Sequence, residues 1–350
     1  MMMRLLNLPI VLCLPLFLFF CSCEESTDTP DDHSGLHPPP LDVHAQNQLI
    51  GRSINLGNCL EAPNEGDWGL VIQEDWFPII SDAGFTGIRV PVRWSAHAEV
   101  DSPYTIDPTF LQRVDWVMDQ ALKNDLAVVF NIHHYEEMFT DPVGERSRLL
   151  ALWRQIATHY ANASDSLIFE LFNEPHDEFT AELWNAYLAE GIELIRGIDP
   201  RRTLMIGTAG WGGLSALDDL VLPADSNLIF TIHYYEPFHF THQGAEWVDN
   251  ADDWLGTAWT GSLPEKAAVE AHFEQIRQWA AIRDLPVHVG EFGAYHRADM
   301  DSRFHWTQWV VQVCEARDFS WAYWEFGSGF GAYDLEAGRW NELRHALIQP

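Results

Sequence analysis

The chain has 350 residues, 47% hydrophobic and 21% charged, proportions of a globular protein with material for one large core. Twenty Lys+Arg against 52 Asp+Glu leave a formal charge of −32, which repels nucleic acid and anionic lipid and excludes both as electrostatic partners. A neutral polymer is not repelled, and 16 Trp with 20 Phe supply flat apolar faces of the kind that pack on carbohydrate rings.

In chain order, Arg4 precedes an apolar run from Leu5 to Phe20, too short and wrongly flanked for an ordinary membrane-spanning helix. The run ends in Cys21-Ser22-Cys23, which resembles the lipobox of bacterial lipoproteins. Cys23 is the better acceptor because small Ser22 precedes it; Cys21 is second, and plain secretory cleavage is the alternative. Residues 1–23 are therefore expected to be a signal peptide, and the mature chain to be secreted or lipid-anchored to the cell envelope. Residues 24–46, acidic and proline-bearing, read as a disordered tether. Beyond it only Cys59 and Cys314 remain, expected as free thiols, with a bond between them as the alternative. Lys123 and Lys266 are the only lysines, an acid-rich, lysine-poor balance compatible with a saline habitat.

From residue 47 to 350 the pattern predicts one domain. Strand-like apolar runs fall at 49–57, 85–92, 125–133, 166–174, 203–209, 227–235, 285–292 and 319–326. Amphipathic helical stretches lie between them at 108–124, 145–161, 180–199, 265–284 and 301–318. Near-continuous apolar strands imply burial on both faces, as in parallel sheets flanked by helices. Alternation over some 300 residues predicts a (β/α)8 barrel, with a doubly wound sheet as runner-up. Against the runner-up, no GxGxxG or GxxxxGK[ST] follows an early strand.

In such a barrel the chemistry sits at the C-terminal ends of the strands. Those ends hold Asn58 and Glu61, Arg89, His133 and His134, Asn173 and Glu174, Trp211, His233 and Tyr235, Glu291, and Trp324. Glu174 closes LIFELFNEP and Glu291 sits in LPVHVGEFG, each a charge with no place in an apolar strand. Two facing carboxylates are the minimum equipment for breaking a glycosidic bond. Glu174 is then the general acid/base, its pKa raised by burial and by its neighbour. Glu291 is the nucleophile, kept ionised by donors from Arg89 and Tyr235. Asn173 is placed to donate to a sugar 2-hydroxyl, and Trp324 to floor the ring. Singly, each residue has a plainer reading: Arg89 as an ion-pair partner, Trp324 as core, His133 and His134 as core hydrogen-bonders or zinc ligands. Their gathering at strand ends is what the plainer readings do not predict.

The segments GRSINLGNCLEAPNEGDWG (51–69), GIRVPVRWS (87–95), FNIHHYEE (130–137), FELFNEP (169–175), TIHYYEPFHFTHQGAEW (231–247), VGEFGAYHRAD (289–299) and SWAYWEFGSGFGAYD (320–334) resemble glycoside hydrolase family 5. The likeness runs from about Leu49 to Ile348 and is strongest to endoglucanases of thermophilic bacteria that also hydrolyse mannans. It implies a (β/α)8 barrel and retaining hydrolysis of β-1,4-glucan, with glucomannan or mannan as a second substrate and no cofactor or metal. It carries roles onto Arg89, His133, His134, Asn173, Glu174, His233, Tyr235, Glu291 and Trp324. Asn58, Glu61, Trp211, His242 and Trp247 match positions lining the glycone side and an adjoining loop, although His242 and Trp247 also read as a packed loop. The chain is expected to act as a monomer on an internal bond of a polysaccharide. The alternatives are an exo-acting or mannan-preferring relative, a non-catalytic carbohydrate-binding barrel, and a metal-dependent hydrolase using His133 and His134.

Overall fold

The computed structural model describes residues 41–349. The expected signal peptide with Cys21 and Cys23, and the tether up to residue 40, lie outside the described residues. The remainder of the expected tether does not behave as one. Asp42 caps a helix, α1 (Val43–Ile50), by accepting from the backbone N–H groups of His44 and Ala45. Residues 49 and 50, expected to open the first strand, end this helix instead.

The strands are β1 (Arg52–Asn55), β2 (Gly87–Val90), β3 (Ala127–Asn131), β4 (Leu167–Glu170), β5 (Leu204–Ile206), β6 (Leu228–His233), β7 (Val287–Glu291) and β8 (Ser320–Tyr323). They pair in parallel in sequence order, and β8 returns to β1, so the sheet closes as a (β/α)8 barrel. Outward residues such as Ile54, Ile88, Phe130, Phe169 and Phe230 join the main core beneath the helices. The inward side has two characters. At the N-terminal end, Val129, Ile168, Met205 and Ile229 form a small apolar cluster with Val43 and Ile50 of α1. Toward the C-terminal end the interior turns polar, with Asn55, Arg89, Asn131, Glu170 and His233 all buried. An apolar floor thus supports a charged ceiling, and α1 plugs the floor.

Five of the surrounding helices follow the predicted stretches closely: α3 (Pro108–Lys123), α4 (Pro142–His159), α5 (Ala181–Arg196), α7 (Leu263–Ala281) and α8 (Met300–Glu315). Each starts where its chemistry says it should. Asp107, Asp141, Thr180 and Asp299 cap four of them through side-chain oxygens, and Ser262 with Glu265 forms a reciprocal capping box on α7. The sequence pattern missed the short α2 (Trp76–Asp82), α6 (Phe238–Thr241) and α9 (Leu343–Leu347). Between β5 and β6 only a 3-10 helix, Leu214–Asp219, stands where the neighbouring strands are followed by α-helices. Cys59 and Cys314 are buried free thiols.

Candidate active site

The predicted strands ran past the hydrogen-bonded ladder. β4 ends at Glu170 and β6 at His233, so Asn173, Glu174 and Tyr235 stand on the short segments that leave the barrel rim. There the backbone keeps only scattered bonds to the neighbouring chain, from Leu171 to Met205, Asn173 to Ile132 and Tyr234 to Glu291, and the functional side chains stand over the barrel mouth.

Arg89 is the hub. All five guanidinium N–H groups have acceptors. Nε and Nη2 grip Glu170 at 2.6 and 2.9 Å, Nη1 reaches Glu291 Oε1 at 2.6 Å and Asn55 Oδ1 at 2.9 Å, and Nη2 also reaches Asn173 Oδ1 at 2.8 Å. Because Asn173 spends its oxygen on Arg89, its amide N–H₂ is turned outward as a donor. Tyr235 donates its hydroxyl to the other Glu291 oxygen at 2.9 Å. His233 donates Nδ1–H to Glu174 Oε1 at 2.6 Å and lies 3.7 Å from Glu291 Oε2.

The two glutamates therefore live in different fields. Burial pushes the Glu174 carboxyl up and the Glu291 charge adds to that, while His233 pulls it back only in part. Burial would also raise Glu291, but His233, Arg89 and Tyr235 outweigh it and hold the group below its usual range. His233, drawn toward the charged form by both carboxylates against the effect of burial, is raised. One ligand-type atom from each of Glu174, His233 and Glu291 lies within 4.8 Å of the others. Among the described residues this is the grouping spaced to hold a cation; His133 and His134, the metal candidates read from the sequence, are not part of it.

The aromatic floor is built by close approach. The Trp324 ring lies parallel to His133 at 6.0 Å, and a Cβ on Gly57 would come within 2.9 Å of it, so only glycine fits there. Asn131 fixes His133 through a 3.1 Å contact to Nδ1. Burial and the neighbouring His134 and Arg89 push His133 well below its ordinary range, and burial with Arg93 lowers His134 to about 4. Both rings are neutral at pH 7 and offer hydrogen bonds without charge. Asn58, His134 and Trp211 all hold positive φ, 62°, 47° and 63°. Such backbone costs about 1–3 kcal/mol per residue and collects where a side chain must be aimed. Trp211, 57% exposed, is stacked on His176 at 3.5 Å, which in turn stacks on Phe139 at 3.6 Å.

Two expected binding residues, Glu61 and His242, border the cavity but are themselves largely buried. The Glu61 side chain is fully buried, and its carboxylate accepts from the backbone N–H groups of Asn58 and Cys59. It holds the turn that aims Asn58; burial raises its pKa to about 8. His242 packs between Phe238 and Tyr235, as the packed-loop reading has it, whereas Trp247 stands open on the wall at 62% exposure. Sequence reasoning missed Glu170 and Asn55, which hold Arg89, and Trp68, which meets His134 edge-on at 5.4 Å. It also missed Glu325, whose buried carboxylate accepts from the N–H groups of Gly327, Ser328 and Phe330 and anchors the loop behind Trp324. Glu174, Glu291, Asn173, Trp211, Trp247 and Trp324 are among the residues lining one open cavity of about 1660 Å³, and Arg89, Glu170, Asn55 and Glu325 stand behind its wall.

A closed (β/α)8 barrel carrying two converging, oppositely tuned carboxylates defines the glycoside-hydrolase class of site. The family model for cellulase, glycosyl hydrolase family 5, matches residues 51–329. The chain belongs to that family. It is 33% identical over 332 residues to endoglucanase H of Acetivibrio thermocellus, covering 93% of this chain but 35% of that protein, so it spans about a third of that relative's length. It resembles the structure of Thermotoga maritima Cel5A in complex with cellobiose, with 51% identity and a TM-score of 0.87, covering 88% of this chain and all of that one. Cel5A in complex with mannotriose is similar at 50% identity and the same TM-score.

Proposed function

We propose that the chain is a retaining, endo-acting β-1,4-glucanase that also accepts mannan-type chains. The observation that carries this reading is the close, unequal pair: carboxylate atoms of Glu174 and Glu291 within 4.8 Å, one group raised and the other lowered. Retaining enzymes hold their carboxyl groups about 5 Å apart, and inverting ones roughly 6.5–9.5 Å apart to admit a water between them.

In the first step Glu291 attacks the anomeric carbon while Glu174 gives its proton to the departing glycosidic oxygen. Glu291 becomes an ester, so its charge no longer raises Glu174, and Glu174 then takes a proton from the water that cleaves the ester. Asn173 donates to the 2-hydroxyl as positive charge grows at C1, and Trp324 carries the ring. The cavity is open rather than a closed pocket, which suits internal cleavage. Cellobiose and mannotriose bound to Cel5A support both sugar types, and the ratio of kcat/KM on glucomannan and galactomannan to that on β-glucan measures the preference.

Glu291→Ala is expected to be nearly inactive. Glu174→Ala is expected to recover activity on an activated aryl glycoside when azide is added. Near wild-type rates in either variant would overturn the assignment. Full activity in the presence of a strong chelator is expected, and loss of activity that returns with a divalent ion would instead assign Glu174, His233 and Glu291 to metal chemistry. For the N-terminus we propose lipid attachment at Cys23. Labelling with a fatty-acid analogue that disappears in Cys23→Ala tests it, and label surviving there but lost in Cys21→Ala would move the site.

A further inference from the structure

Arg89 carries one positive charge and serves two buried carboxylates. Glu170 takes the bidentate edge through Nε and Nη2, and Glu291 takes a single bond from Nη1. Glu170 and Arg89 are fully buried, so neither charge is screened by solvent. The guanidinium edge held by Glu170 fixes the orientation of its other side, which points at Glu291, Asn55 and Asn173.

We propose that Glu170 is a positioning residue that sets the basicity of the Glu291 nucleophile by sharing its counter-ion. The proposal rests on Glu291 being the nucleophile. Without Glu170, the whole Arg89 charge would fall on Glu291. A carboxylate so tightly paired is easier to ionise and poorer at donating electrons to an anomeric carbon. Without Arg89, two buried carboxylates would face one another. The trio with a net charge of −1 lies between these extremes: Glu291 stays ionised and keeps its reactivity. The other groups around Glu291 are Glu174 from the β4 rim, His233 and Tyr235 from the β6 rim, His134 from the β3 rim and His242 from the loop after β6. None of these bonds to Glu170, so a change there reaches Glu291 chiefly through Arg89.

The test is the pH profile of kcat/KM on a cello-oligosaccharide for Glu170→Gln, beside Glu170→Asp. The Gln variant keeps the size and removes the charge. Its acidic limb, which reports ionisation of Glu291, is expected to move to lower pH by about one unit, and kcat/KM to fall about tenfold or more. The Asp variant keeps the charge, so its limb is expected to stay at the wild-type pH while the rate falls because Arg89 is held less firmly. A folded Gln variant with a slowed rate and an unmoved limb would make Glu170 a purely structural residue. An Asp variant whose limb moves would also overturn the proposal, even if the Gln variant does not fold. Should Glu291→Ala retain activity, the assignment of the nucleophile fails first, and that outcome is separate from either result here.

Discussion

At Glu291 two donors, Arg89 and Tyr235, converge on one carboxylate with the His233 ring 3.7 Å away, and at Glu174 one donor meets a group whose burial works against ionisation. Tyr235 is the donor best suited to measurement, because Phe keeps the ring and removes only the hydroxyl. A hydrogen bond to a charged group contributes about 1.5–3 kcal/mol. Its loss in Tyr235→Phe favours the protonated nucleophile, so the acidic limb of kcat/KM should move to higher pH, by about one to two units. That is the direction opposite to Glu170→Gln, and a pH titration of initial rates separates the two. Much of this was legible in the sequence, because Glu174, Glu291 and Arg89 interrupt apolar strands and a buried charge demands a reason. Glu170 interrupts the same run, LIFELFNEP, and was passed over because Glu174 four residues later already explained the segment. Glu61 was read as a binding residue because a carboxylate near a strand end looks available. Only the fold shows that its oxygens are already taken by the turn it supports.

Among the elements, α1 shows what pattern reading loses. Its sequence is VHAQNQLI, and its buried residues are Val43, Asn47 and Ile50. That is helical spacing, but Asn47 sits in the middle of the buried face and His44, Gln46 and Gln48 flank it, so the apolar stripe is hard to see. Asn47 is buried because it is bonded: it donates to the Val287 carbonyl at 3.1 Å and accepts from Ser320 at 2.6 Å, and Ser320 meets His288 Nδ1 at 2.7 Å. The helix thereby closes the barrel floor beneath β7 and β8. Ile50→Ala, which truncates a fully buried side chain in that floor, should lower unfolding free energy by about 2–5 kcal/mol. Urea denaturation reads the loss, and kcat/KM of the folded variant should be unchanged. A loss of activity without a loss of stability would mean that the floor communicates with the rim. The eight strands were legible for the opposite reason: both their faces are buried, so they appear as plain apolar runs. α2 was not, since its seven residues, WFPIISD, are too few to show a period and contain Pro78.

The molecule as a whole carries −32, and among the described residues no Lys or Arg lines the cavity. Glu136, Asp218, Glu236 and Asp249 stand around its mouth, while burial keeps His133, His134 and His242 from answering with positive charge. Several arginines are engaged in pairs, such as Arg52 with Glu315 and Arg196 with Asp225. A substrate bearing carboxylates meets repulsion that salt screens; a neutral one does not. Activity on carboxymethylcellulose should therefore rise with sodium chloride, while activity on hydroxyethylcellulose of similar substitution stays level. Equal salt responses would remove electrostatics from substrate choice. The central claim, that Glu291 attacks the sugar and Glu174 assists, is tested most directly by trapping the intermediate. Incubation with an activated 2-deoxy-2-fluoro cellobioside followed by peptide mass spectrometry should place one glycosyl group on Glu291. A glycosyl group on any other residue, or hydrolysis of natural substrate with inversion at the anomeric carbon, would contradict it.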